Sequence, residues 1–286
     1  MIINKNSEIL FIYDAKMTNP NGDMDNENKP RMDYDTQTNL VSDVRLKRYI
    51  RDYLEKNLNK EIFITETAKD SNDRKKQLGK DKTYTDLIDV RFFGAVFAAE
   101  GGNDHLTGPV QFNWGYSLNK VEINESSTIT SSFSSGEGIG KDYRVKYSVI
   151  AFNGSINANV AEYTKLTEDD IQVFDEAILK AIPANRTRSK IGQTPRLYLR
   201  IELKDKKTFF NDLRDYIRIN NNDGISDFQL RSITDFKFNT EGLVEYLEKF
   251  ENKIEKIYYW FDDSMNIEGV EKFKEKFKEK FIQINI

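Results

Sequence analysis

Apolar residues arrive in two rhythms along this chain. Residues 9–13 form a short, nearly unbroken run of branched and aromatic side chains, which has the length and make-up of a buried strand. Strict alternation marks residues 110–118. There Val110, Phe112, Trp114, Tyr116 and Leu118 share one face, and Gln111, Asn113, Gly115 and Ser117 the other. The same period of two recurs in Tyr143, Val145, Tyr147 and Val149 and in Leu197, Leu199, Ile201 and Leu203. Residues 61–65 (EIFIT) and 254–261 (IEKIYYWF) are further strand candidates. The second rhythm is helical. Over residues 42–57 a stripe is formed by Val44, Leu46, Ile50, Tyr53, Leu54 and, just past the end, Leu58. Over residues 84–99 it is formed by Leu87, Val90, Phe93 and Phe97, closed by the Gly101-Gly102 pair. Thr167 caps a helix that carries Glu168, Asp169 and Asp170 in its first turn, a stripe of Ile171, Phe174 and Ile178, and Pro183 at its end. Thr240 caps another, to about residue 250, and Phe273, Phe277 and Phe281 recur four apart on a last amphipathic helix.

Between these elements lie polar stretches. Residues 14–41 form a loop punctuated by Asn19-Pro20, Asn21-Gly22 and Lys29-Pro30. Residues 66–82 have almost no apolar content, as a solvated loop or insertion does. Residues 122–142 are rich in Ser, Thr and Gly between two clean strands. Composition alone leaves them open between a protruding hairpin and a surface loop. No linker divides the chain. Strand, helix, strand, then again strand, helix, strand is the split βαβ order of a ferredoxin-like or RNA-recognition-type sheet, so the fold class is α+β.

With 286 residues the chain can bury a sizeable core, and its net charge of −4 excludes a bulk polyanion binder. A nucleic-acid site must therefore be a local patch. The absence of cysteine removes disulfide and thiolate-zinc frameworks, and the single histidine, His105, removes paired-imidazole metal sites. No apolar run approaches a membrane span, and residues 1–9 lack a signal peptide's apolar core. A cytoplasmic protein without membrane contact is expected.

Charge is unevenly placed. Residues 177–201 contain no acid, yet hold Lys180, Arg186, Arg188, Lys190, Arg196 and Arg200. Arg186, Thr187, Arg188, Ser189 and Lys190 fall in a loop between two prolines, where guanidinium and hydroxyl groups suit phosphate contacts. A second cluster, Arg45, Lys47, Arg48 and Arg51, lies on the helix at 42–57. Lys47 falls inside that helix's apolar stripe, where a lysine either snorkels to solvent or meets an anion. Two basic patches on an acidic chain fit a groove for a single-stranded backbone. Asp14, Asp23, Asp25, Glu27, Asp33 and Asp35 crowd the first loop and could hold Mg²⁺, though solvated turn chemistry accounts for them as well. No phosphate-loop, dinucleotide-binding or Ser/His nucleophile pattern is present, so no catalytic residue, cofactor or metal is assigned.

Several strings also carry a resemblance. NPNGD, then a proline and arginine, then NLVSDVRLKRYIRDYL, resembles the repeated backbone subunit of CRISPR Cascade complexes, the Cas-seven family, and is nearest its subtype I-B branch. DVRFFGAVFA, TGPVQFNWGYSL and YRVKYSVIAFNGSINA follow in the family's order, so the likeness covers roughly residues 7–202. It implies an RRM-like palm with a helical fingers insertion at 66–106 and a β-hairpin thumb at 121–144. It implies polymerisation of several copies along a CRISPR guide RNA, beside other Cascade subunits, presenting bases to a target DNA strand in antiviral defence. Asn19, Asn21, Arg31, Arg45 and Lys47 are then candidates for gripping the RNA backbone, and Ile129 or Phe133 for the thumb wedge that displaces a base. The related type III backbone subunit resembles an RNA-cleaving protein with an aspartate in the same loop, so the alternative is a guide-dependent ribonuclease. The type I likeness implies no enzyme.

Overall fold

The computed structural model describes residues 1–79, 81–99, 102–124, 128–130 and 139–285. Its main sheet contains β1 (Ser7–Thr18), β2 (Thr38–Val41), β3 (Val110–Phe112), β4 (Gly115–Ser117), β5 (Val145–Ile156), β6 (Gln193–Leu203), β7 (Ile254–Phe261) and β8 (Phe281–Gln283). They stand in the order β8-β7-β6-β1-β5-β4-β2, with Met32–Asp33 beyond β2 and with β3 also paired to β5. β1 is the centre. It runs antiparallel to β5, from Ser7↔Ile156 to Thr18↔Val145, and antiparallel to β6 on its other edge. A strand paired on both edges and buried on both faces needs apolar residues without alternation, which is what residues 9–13 supply.

Ile9, Phe11, Tyr13 and Ala15 point to one side of the sheet and pack against two helices. The first is α1 (Asp43–Lys56). Its start is fixed by Ser42, whose side chain accepts the Arg45 N–H at 3.3 Å. Its buried face is Leu46, Tyr49, Ile50, Tyr53 and Leu54, while Val44, read into the stripe, is 66% exposed. The second is α2 (Glu168–Ala184), begun by a reciprocal capping box between Thr167 and Asp170. Leu10 and Ile12 point to the other side, into a second core with Val149, Leu197, Leu199, Leu243, Phe273 and Phe277. Residues 205–253 and 262–280 thus cover the sheet's second face. Each fully buried Leu or Phe there contributes roughly 1.5–3 kcal/mol, so this layer is integral to the fold.

Four expectations are corrected. Residues 61–65 form no strand; Ile62 and Phe63 are buried in an irregular segment. The helix read at 84–99 ends at Phe93, and Gly94–Ala99 forms an antiparallel hairpin with Gly102–Thr107. Gly94 causes the change: its φ is +70°, and a Cβ there would lie 1.9 Å from the Leu106 carbonyl oxygen. The strand read at 110–118 is two strands offset by one residue, so Gly115 and Ser117 are buried while Trp114 is 43% exposed. The last helix stops at Phe277, with Lys278 at φ +42°, and Phe281 starts β8 instead. Residues 66–82, read as a solvated loop or insertion, contain the short helix Ser71–Leu78, which buries no residue.

Candidate nucleic-acid interface

The candidate interface forms where the end of β1, the start of α1 and the loop 185–192 meet. The loop is laced to the strand by its main chain: Lys16 N–H donates to Gly192 O at 2.9 Å and Asn19 N–H to Ser189 O at 2.9 Å. Gly192 has φ +103°, and a Cβ would lie 2.6 Å from Lys16 O, so only glycine permits this approach. Lys190 Nζ donates to the carbonyls of Asn19 and, at 3.3 Å, Pro20. Burial, with the Arg45 charge nearby, pushes its pKa down to about 7. Arg45 lies over the Tyr49 ring, 4.3 Å from its centre.

The first loop is tied to the helix start by Asn21, whose Oδ1 accepts from Ser42 N–H at 2.8 Å and Ser42 Oγ at 2.9 Å. Arg31 N–H donates to Asn21 O at 3.0 Å, and its guanidinium pairs with Asp23 at 3.2 Å. Asn19 is 4% exposed, and its amide donates to Asn28 O at 2.7 Å, so it shapes the loop from within. Arg186 and Arg188 are exposed. Arg188 meets Asp142 at 3.2 Å and keeps 63% of its side chain in solvent, so that pair is weak. Arg144, which sequence reasoning missed, holds the floor together: it pairs with Asp142 at 2.7 Å and donates to Met17 O at 2.8 Å and Arg188 O at 3.4 Å. Its alternation partners were visible, but its role needed the fold.

Asn19, Asn21, Arg31, Arg45, Arg186, Arg188 and Lys190 thus belong to one region. The other three candidates on α1 are spent on internal contacts. Lys47 Nζ donates to Asp43 at 3.0 Å and to Gln111 Oε1 at 3.0 Å, bridging α1 to β3. Arg48 pairs with Asp52 at 2.6 Å and donates to Ile64 O at 2.9 Å. Arg51, 7% exposed, pairs with the buried Asp89 at 3.0 Å, and Asp89 also accepts from the Phe63 and Ile64 amides. Arg48 and Arg51, read as part of a basic patch for a single-stranded backbone, here pin the irregular segment 61–65.

The loop acids do not converge. Asp14 is buried against Arg196 and Tyr147, Asp23 against Arg31, and Asp33 turns its own loop through Thr36. Glu27 reaches Lys141 and, at 3.0 Å, Tyr143 at the foot of a hairpin. Among the described residues no group of three His, Cys, Asp or Glu is placed to hold a metal ion. That hairpin pairs Thr128–Thr130 with Ile139–Lys141. Ile129 is 36% exposed on it, and Phe133 lies outside the described residues.

A family model described as CRISPR-associated protein Cas7 matches residues 5–241. The chain belongs to the Cas7 family. A Cas7 relative, "CRISPR-associated protein Cas7" of Haloferax volcanii, is 33% identical over 92% of this chain and 88% of its own length. Among solved structures, a chain of a "CRISPR RNA-guided surveillance complex" superposes with a TM-score of 0.59 at 15% identity, over 98% of this chain and 95% of its own. A second, of a "CRISPR RNA-guided surveillance complex, pre-nicking", gives 0.56 at 11% identity, over 98% of this chain and 96% of its own. As a Cas7 member, the chain is a backbone subunit of a CRISPR RNA-guided surveillance complex. The mixed α+β fold is that of the Cascade Cas7 structures. Among the described residues of this Cas7 chain no helix is long and apolar enough to cross a membrane.

Proposed function

We propose that the chain binds the guide crRNA along its phosphate backbone in several cytoplasmic copies, beside other Cascade subunits, and presents its bases to target DNA. The observation that carries this is the convergence of Arg45, Arg186, Arg188 and Lys190 where β1, α1 and the loop 185–192 meet. On this reading the palm is RRM-like. The order β6-β1-β5-β4, with α1 and α2 on one side, is the ferredoxin-like arrangement. Residues 66–106 serve as fingers and 121–144 as the thumb, with Ile129 or Phe133 as the wedge. Lys47 joins the RNA contacts by exchanging Gln111 for a phosphate oxygen. The 33% identity to the Haloferax relative supports a type I-B assignment.

No base-reading motif occurs in the sequence, so affinity should be indifferent to base identity and steep in salt. Each phosphate contact on a single strand steepens the fall of log affinity by roughly 0.7 per log unit of salt. Two unrelated single-stranded RNAs of equal length should bind alike across a salt series. An Arg186→Ala, Arg188→Ala variant should lose about 1.4 units of slope. A flat salt response, or a large gap between the two RNAs, counts against the proposal. The same reading has no cleavage step: loss of complementary RNA in Mg²⁺ by the parent, but not by an Asp23→Ala, Asp33→Ala variant, would replace it with a ribonuclease.

A further inference from the structure

The one-residue break between β3 and β4 is built into the fold. Phe112 pairs with Gly154 while Ser117 pairs with Ile150, so an extra residue is fitted between the two short strands. Three of its main-chain groups are engaged. Asn113 N–H donates to Asn153 O at 3.0 Å, and Trp114 N–H donates to Asn113 Oδ1 at 2.8 Å. Trp114 O accepts from Arg214 Nη1 at 2.7 Å. Arg214 is 3% exposed, pairs with Asp212 and lies 4.1 Å from the centre of the Tyr116 ring. A buried arginine is thus committed to holding the bulge that turns Trp114 outward. Unbroken alternation would have put this indole in the core.

The exposed ring has a particular neighbour. The Arg31 guanidinium lies 6.0 Å from the indole centre, at the outer limit of a cation–π contact. Arg31 is itself fastened to Asn21 through its N–H and to Asp23 through its side chain. Trp114 therefore flanks the candidate RNA interface. Its chain neighbours are the polar Asn113 and the buried Gly115.

We propose that Trp114, with Arg31 beside it, is a stacking platform for an unpaired base of the bound RNA. The proposal rests on the RNA-binding reading and adds a base contact to it. Stacking on an indole face is open to every base, which suits an interface without base-edge readers.

The chain has two tryptophans, Trp114 and Trp260, so Trp260→Phe leaves Trp114 as the sole indole reporter. Titration of that variant with a short single-stranded RNA should quench its fluorescence in step with binding. An abasic ribose-phosphate oligomer of equal length should bind with the same salt slope and quench little. Trp114→Ala should weaken RNA binding by about 5- to 150-fold, the range for loss of one stacked base, with the salt slope unchanged. Trp114→Phe should restore most of the affinity. Equal quenching by the abasic oligomer overturns the proposal. So does a Trp114→Ala variant that binds short RNA as the parent does but fails to load in series, which would make Trp114 a contact between copies. If the parent binds neither oligomer, the RNA-binding reading itself falls, and a lost salt slope tells that failure apart.

Discussion

Lys190 gives the interface a pH dependence whose direction follows from its surroundings. Its amine is set against the carbonyls of Asn19 and Pro20, and burial together with Arg45 brings its pKa from 10.5 down to about 7. In the free protein at pH 8 the amine is mostly neutral. A phosphate oxygen placed beside Nζ favours the charged form, so RNA binding takes up a proton above pH 7. With the bound-state value restored toward the ordinary lysine range, affinity should fall about tenfold between pH 6 and pH 8, or about 1.4 kcal/mol. Fluorescence anisotropy with a short labelled RNA that seats one copy, at constant ionic strength, measures this directly. Lys190→Arg keeps its charge throughout and should flatten the profile, while the contribution of Glu8 remains common to both proteins. Parallel profiles for parent and Lys190→Arg, or an affinity that rises with pH, would refute the reasoning. The depressed value has a second consequence. The unfolded chain binds more protons than the native one between about pH 7 and the ordinary lysine value of 10.5, so the free fold gains stability as pH rises through that window.

Three further outcomes are expected. Arg200 is 4% exposed and held by Asp175 through two hydrogen bonds of 2.8 and 2.6 Å, so Asp175→Asn should cost about 3–5 kcal/mol in urea unfolding; a loss under about 1 kcal/mol contradicts this. Burial raises Glu8 from 4.5 to about 7, so the native state binds the extra proton and stability falls as pH rises through that window. Glu8→Gln, which keeps an acceptor for the Phe210 N–H, should therefore stabilise the fold at pH 8 by up to about 3 kcal/mol and not at pH 4, read from thermal midpoints. Deleting residues 126–140 should spare binding of one copy to a short RNA and abolish cooperative loading on a long one; native mass spectrometry showing full arrays would reduce the hairpin to a surface loop.

The fold was legible wherever one face or both faces of an element had a single environment. β1, β5, β6, α1 and α2 stand where the apolar pattern placed them, and the cap at Thr167 is where the side-chain pattern put it. Reading failed where one residue reset the geometry. Gly94 stops a stripe that continues in spacing, and the bulge at Asn113–Trp114 inverts an alternation that looks unbroken. The candidate site was half legible. The acid-free run at 177–201 stood out, but its net charge overstates what reaches solvent. Arg196 is matched by Asp14 and Asp262, and Arg200 by Asp175, acids that lie outside the run. Lys47 was singled out for sitting in an apolar stripe. Its partner, Gln111, comes from a strand 64 residues away, which no local pattern reveals.

The layer formed by residues 205–253 and 262–280 decides what kind of surface remains. A four-stranded RRM-type sheet ordinarily lays bases across its open side, and that side fixes which bases it tolerates. Here Leu10, Ile12, Val149 and Leu199 are roofed by Leu243, Phe273 and Phe277. With both broad surfaces sealed, a polymer can meet this sheet only along its rim. On the proposed RNA-binding reading, a narrow rim gives each copy a short footprint and leaves the next stretch of strand to its neighbour. On that reading the length of guide is measured by counting subunits rather than by reading letters, and one gene product serves any spacer.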